Sequence, residues 1–360
     1  MSSSTILDPP DESRPAPAAP PAARALPPRR AIVAGPAVAV FTLLVALVAT
    51  AAVGVSLRDP GGVTAKRLTT VLVMTLVIAG ADLLVRAALR SAGTWPSRAA
   101  LAAVWRERWP LRRGLAVTAA LVAFYATYLG YRNLKSIVPL GRPRDLFDAQ
   151  LADADRFLFL GHDPAALLHD LWGVGAATEL FSFVYMLFFF FIPLTLGAAL
   201  VLLPDLRQGF FFVTAMALNW LLGGGSYFLL PALGPIYLDP GAFAGFPDSA
   251  ATHLQAKLLE QRQAFLLDPE GTAQSIGAFA SLHTSIFFTA ALAAQLLGLG
   301  RLLKTVAWLL FALTVGATLH LGWHYFVDDL AGMAIAVLAL AGACVLCGYN
   351  PRRGARRPAP

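Results

Sequence analysis

Val327-Asp-Asp-Leu-Ala-Gly-Met-Ala-Ile-Ala-Val-Leu-Ala-Leu-Ala-Gly-Ala-Cys-Val-Leu-Cys-Gly348 runs for 22 residues and, after its two aspartates, holds no charged side chain. A bilayer core takes about 20 apolar residues as a helix, so the stretch reads as a membrane span. Similar runs occupy 31–55, 68–89, 113–131, 178–203, 206–230, 276–298 and 302–322. With 57% hydrophobic and only 14% charged residues, the composition fits lipid as solvent better than water. The expected fold class is all-α: a polytopic membrane bundle of about eight transmembrane helices.

The net charge of +7 would suit a nucleic-acid partner if it lay on one polar domain. Instead Lys and Arg sit in short clusters between apolar runs, which is a topological signal, and no nucleic-acid partner is expected. Eight crossings bring both termini to one side. If that side is the cytoplasm, it holds Arg29, Arg30, Arg90, Arg98, Arg106, Arg108, Arg112, Arg113, Arg207, Arg301, Lys304 and both basic tails, as the positive-inside rule expects of a plasma-membrane protein. Residues 1–30, rich in Pro, Ala and Ser, read as a disordered cytoplasmic tail. The run after it lacks a leader's cleavage site and is long enough to remain as a helix. Residues 31–112 read as two accessory helices with a basic cytoplasmic loop, 113–348 as a catalytic membrane domain, and 349–360 as a second basic tail. On the outer side, 145–172 suits an amphipathic helix at the interface, and 231–275 a long loop over the bundle mouth. Cys344 and Cys347, three apart in an apolar run, supply neither a disulfide framework nor a four-ligand zinc site.

Ionisable groups at the ends of apolar helices are expensive to place and are functional candidates. Three clusters qualify: Ser281-Leu-His283, then His320-Leu-Gly-Trp-His324-Tyr-Phe-Val-Asp328-Asp329, then Lys135-x6-Arg142-Pro143 with Arg132 just before it. A topology drawn from loop charges puts all three in one membrane layer. If the chain continues helically, His320, His324 and Asp328 are four apart and share a face, while Asp329 points away toward solvent. A carboxylate on one nitrogen of His324 would fix the tautomer and free the other nitrogen to attack phosphorus. His283 would protonate the departing oxygen. Lys135, Arg142, Arg132, Ser281 and His320 would meet the phosphoryl oxygens.

Lys135-x6-Arg142-Pro143, Ser281-Leu-His283 and His324-x3-Asp328 resemble, in order, the three signatures of the type 2 phosphatidic acid phosphatase superfamily. His324-Tyr-Phe-Val-Asp328 followed by Ala331-Gly332 resembles its inositol phosphorylceramide synthase (inositolphosphotransferase) branch. The resemblance covers about residues 125–335. It implies a six-helix catalytic core, a phosphohistidine intermediate on His324, orientation by Asp328, leaving-group protonation by His283, a membrane lipid phosphate as substrate, and neither metal nor cofactor. The sequence departs from the phosphatase pattern at Thr318, where an Arg would stand six residues before the nucleophile. The gap from Pro143 to Ser281 is also longer, which leaves Arg132 or a residue of 227–235 as alternatives to Lys135 and Arg142.

Three readings follow: a phosphotransferase acting on a lipid-linked phosphate, a hydrolase of lipid phosphates or polyprenyl diphosphates, and a non-enzymatic transporter or assembly protein with a relic site. A zinc site built from His283, His320, His324 and Asp328 is a further alternative.

Overall fold

The computed structural model describes residues 27–91 and 95–351; within them the chain is helical, with no strand. Most of the two expected tails, 1–26 and 352–360, lies outside the described residues. Among the described residues seven helices are long and apolar enough to cross a membrane: α1 (Arg29–Ala52), α2 (Val63–Arg90, entered through a 3₁₀ turn at Pro60–Gly62), α4 (Leu111–Gly141), α7 (Ala176–Leu202), α8 (Leu206–Leu229), α12 (Arg301–His320) and α13 (Phe326–Cys347).

The eighth expected span is shorter. Helix α11 (Leu282–Leu296) has 15 residues, about 22 Å at 1.5 Å per residue. It begins late because the backbone before it is bonded to other segments. Ala278 N–H donates to the Ala232 carbonyl (2.8 Å), Ser281 N–H to the Asp328 carbonyl (3.0 Å), and Gln274 reaches the Lys135 carbonyl through its side chain (2.7 Å). Ser281 then caps the helix, its hydroxyl accepting from Thr284 N–H.

The polar stretches fold as short helices. Helix α3 (Arg98–Arg108) lies in the basic loop, α5 (Asp148–Leu158) and α6 (Pro164–Trp172) share the region expected to form one interfacial helix, and α10 (Ala250–Leu267) stiffens the long loop together with a short turn, α9 (Pro235–Leu238).

Cross-links fix which ends lie together. Arg30, opening α1, donates to the Val345 carbonyl near the end of α13 (3.1 Å). Arg108 of α3 pairs with Asp82 of α2 (2.9 Å) and donates to the Val201 carbonyl of α7 (3.0 Å). At the opposite end Arg132 of α4 pairs with Asp59 before α2 (2.7 Å), and Arg58 with Glu270 of the long loop (3.0 Å). The start of the first helix and the end of the last therefore lie at one end of the bundle, and the α4–α5, α8–α11 and α12–α13 connections at the other.

Helix α8 is central, meeting α1, α4, α7, α11 and α13, and it is buried without interruption from Gly209 to Trp220, as suits a helix apolar on every side. Lipid tails are as apolar as Leu, so helices in a bilayer associate through close packing and polar contacts. A Cβ on Gly130 would stand 2.9 Å from the Thr42 methyl, and one on Gly197 2.9 Å from the Thr75 hydroxyl. Those approaches seat α1 on α4 and α2 on α7. Asn219 bonds Thr289 (3.1 Å) and Ser285, linking α8 to α11. The two amino-terminal helices are thus packed into the bundle wall.

Candidate active site

The site is built around the turn between α12 and α13. The helix ends at His320 because Gly322 takes φ +68°, a left-handed conformation open chiefly to glycine. Trp323 and His324 fold back so that both N–H groups donate to the Thr318 carbonyl (3.0 and 3.3 Å). Helix α13 then starts with its free N–H groups engaged: Tyr325 donates to Asp328 Oδ2 (2.9 Å), and Phe326 and Val327 to the carboxylate of Asp155 from α5 (2.7 and 3.0 Å). Burial pushes the Asp155 carboxyl above its ordinary range, opposed by those two backbone bonds. Asp148 of α5 accepts from Leu233 and Gly234 N–H and from the Tyr325 hydroxyl (2.8 to 3.0 Å). Two outer-helix carboxylates therefore brace the turn that carries His324.

The helical continuation from 320 to 328 expected of the sequence does not form, yet His324 and Asp328 still meet. His324 Nδ1 lies 2.9 Å from the Ala278 carbonyl and 3.5 Å from Asp328 Oδ2. A carbonyl only accepts, so Nδ1 carries the proton and Nε2 keeps its lone pair. Burial lowers the His324 pKa to about 4; Asp329 and the Ala278 bond oppose that shift and Lys135 adds to it. The ring is neutral at physiological pH.

His283, in the first turn of α11, stacks between Tyr185 (4.1 Å between ring centres) and Phe188 (4.0 Å) of α7. Its ring centre stands 6.2 Å from that of His324, and its Nε2 is buried with no partner among the described residues. Both imidazoles line one cavity of about 300 Å³, whose wall also holds Lys135, Arg132, Arg67 and Lys257. Lys135 Nζ sits 4.5 Å over the Tyr227 ring and 3.4 Å from its hydroxyl.

Other sequence candidates lie elsewhere. Arg142 is held by Asp145 (2.8 Å) and the Phe228 carbonyl and faces a second cavity, separated from the first by Tyr227, Leu233, Ile276 and Gly277. His320 hydrogen-bonds Thr178 (2.9 Å) and lies against Phe246, Phe181 and His169, outside the histidine cavity, because the turn at Gly322 separates it from His324. Ser281 is fully buried as the α11 cap. Among the described residues no three His, Cys, Asp or Glu side chains are grouped to share a metal ion; the His320 side chain of the zinc alternative is turned into a different layer.

Asp329 corrects an expectation. It is fully buried rather than facing solvent, accepting from Thr318 (3.1 Å) and Thr284. Helix α13 begins only at Phe326, so the face counted from His324 does not apply. Thr318, where a phosphatase-type Arg would stand, thereby ties α12 to α13. Reasoning from sequence also passed over Arg67, Lys257 and Tyr185, and reached Tyr227 only as one end of the 227–235 alternative. Arg67 had a signal, being a cation at the start of an apolar run; Tyr185 had none, since ring-bearing helices are mostly core.

A family model described as the PAP2 superfamily matches residues 149–342, spanning α5 to most of α13 and both histidines. Comparison with curated proteins and with solved structures gives no match.

Proposed function

The chain belongs to the PAP2 superfamily, and we propose that it is an integral membrane phosphotransferase acting on a lipid-linked phosphate through His324. The observation that carries the reading is the pair of imidazoles from α11 and the α12–α13 turn, 6.2 Å apart over one cation-lined cavity. In this reading His324 Nε2 attacks phosphorus, a P–N bond forms, and the P–O bond to the departing group breaks. His283 gives its proton to that oxygen, then takes one from the incoming alcohol as it attacks the phosphohistidine and frees His324. Asp328 and the Ala278 carbonyl orient the nucleophile. Lys135 and Arg132 offset the charge on the phosphoryl oxygens, where fixed cations in a water-poor site are most effective. Arg142 and His320, though resembling or adjoining the signatures, have no part in this arrangement, and Ser281 acts through the fold of α11.

An alcohol acceptor, as in the inositolphosphotransferase branch, fits a cavity larger than one phosphoryl group and walled by Tyr185, Trp220, Tyr227 and Trp323. Purified protein given a labelled lipid phosphate with and without candidate polyols is expected to move label to the polyol. Free phosphate alone in every case would establish the hydrolase instead. Full function in His283→Ala and His324→Ala would leave only the non-enzymatic alternative.

A further inference from the structure

A third cavity, of about 240 Å³, lies among α2, α4, α7 and α8, and it touches the histidine cavity through shared walls: Arg67, Tyr128, Phe189 and Trp220 line both. Beyond that junction its lining is mostly apolar, with Phe124 and Tyr125 near the middle of α4 and Ile192 and Pro193 deep in α7, the hydroxyls of Thr70 and Tyr125 being the polar exceptions. The two spaces differ in chemistry. One is cationic and holds the imidazoles; the other runs toward the bilayer interior.

Arg67 stands at the boundary. Its guanidinium lies 4.8 Å from the Phe189 ring centre and 5.3 Å from that of Tyr128, and no carboxylate pairs with it among the described residues. A cation in the second turn of a bilayer-spanning helix ordinarily snorkels to the interface, whereas this one lies in the wall between the two cavities. Contact with two ring faces offsets part of the cost of holding it there, roughly 0.5–2 kcal/mol per contact, and leaves the outward N–H groups free for an anion.

We infer that the cavity between α2 and α7 receives the hydrocarbon chain of the substrate while Arg67 binds the phosphate from the chain side, so that a helix outside the matched family region selects for lipid. The inference rests on the phosphotransferase reading for what happens next, but chain binding needs no turnover. A lipid with its phosphate at Arg67 presents phosphorus to the histidine cavity and keeps its chain in an apolar groove. A water-soluble phosphate ester lacks the second interaction.

The test uses His324→Ala protein in detergent with a long-chain phosphatidic acid carrying a diazirine midway along one acyl chain. Light is expected to place label on peptides from 63–90 and 176–202, and unlabelled long-chain phosphatidic acid to compete at least about tenfold better than a short-chain, water-soluble analogue, a difference of 1.4 kcal/mol. Arg67→Gln is expected to lower labelling about tenfold at subsaturating lipid, with Arg67→Lys retaining more. Label confined to other helices, equal competition by both analogues, or labelling indifferent to Arg67→Gln would overturn the proposal. Failure of phosphoryl transfer by the wild-type protein, with this labelling intact, would instead overturn only the catalytic reading.

Discussion

At the scale of single residues, His324 carries the strongest expectations. His324→Ala should reduce turnover by at least about 10³-fold with the protein still inserted, read by label transfer beside a solubilised-protein elution profile. Because its pKa lies at about 4, the proposed nucleophile is neutral above that pH; kcat/KM should show no limb from this group between neutrality and about pH 5. Stability behaves differently. A free imidazole titrates near 6.5, so between 6.5 and about 4 the unfolded chain binds the proton and the folded one does not. The contribution is complete above 6.5 and is lost as pH falls through 4, and melting temperatures taken across that window should decline. Asp328→Asn keeps an oxygen for Tyr325 N–H but replaces the carboxyl group 3.5 Å from Nδ1 by an amide, so turnover should fall roughly ten- to a hundredfold with little change in melting. Asp329→Ala should lower melting more strongly, leaving the Thr284 hydroxyl unsatisfied in the core at about 1–3 kcal/mol, while Thr318 keeps its bond to the Val315 carbonyl (2.8 Å).

At the scale of elements, the close crossing of α11 and α13 sets the distance between the two imidazoles. A Cβ on Gly332 would come well within van der Waals contact of the Ser281 carbonyl oxygen, and backbone cannot swing aside as a side-chain tip does. Gly332→Ala should therefore push α13 from α11 at about 1–3 kcal/mol and, by parting His283 from His324, cost more activity than that destabilisation alone explains. Gly342→Ala on the same helix meets only the end of Leu218, at 3.1 Å, and should be far milder in both assays. These elements also show what the sequence made legible. Long apolar runs announce themselves because a bilayer imposes one length and one solvent on all of them, and His324-x3-Asp328 survives because its residues stay within one turn. What escaped was set by partners distant in sequence: the late start of α11, whose preceding backbone bonds 232 and 328; the burial of Asp329, decided by Thr318 and Thr284; and the separation of Arg142 from the histidines by the strip around Tyr227. A spacing rule assumes a continuous helix, and Gly322 interrupts the one that would have joined His320 to His324.

At the scale of the whole molecule, the remaining question is which face of the membrane the cavity serves. The bonds from Arg30 to Val345 and from Arg108 to Val201 gather the helix termini at one end, and that end also carries Arg90, Arg106, Arg112, Arg113, Arg207, Arg301 and Lys304 in or within a few residues of a span, with Arg98 in the connection between α2 and α4. Orientation follows the Lys and Arg near span ends, with acidic residues counting little, so the expected placement has this end in the cytoplasm and the histidine cavity opening on the extracytoplasmic side. A lipid phosphate would then be taken from the outer leaflet. The expectation is checked in a variant freed of Cys344 and Cys347, with single cysteines at two exposed sites: Asp248→Cys in the long loop, where the native side chain is 96% exposed, and Gly300→Cys between α11 and α12. A membrane-impermeant maleimide applied to intact cells should modify the first and reach the second only after lysis. The opposite pattern would turn the cavity toward the cytoplasm, and the positive charges at the other end would then have been overruled by the long loop they oppose.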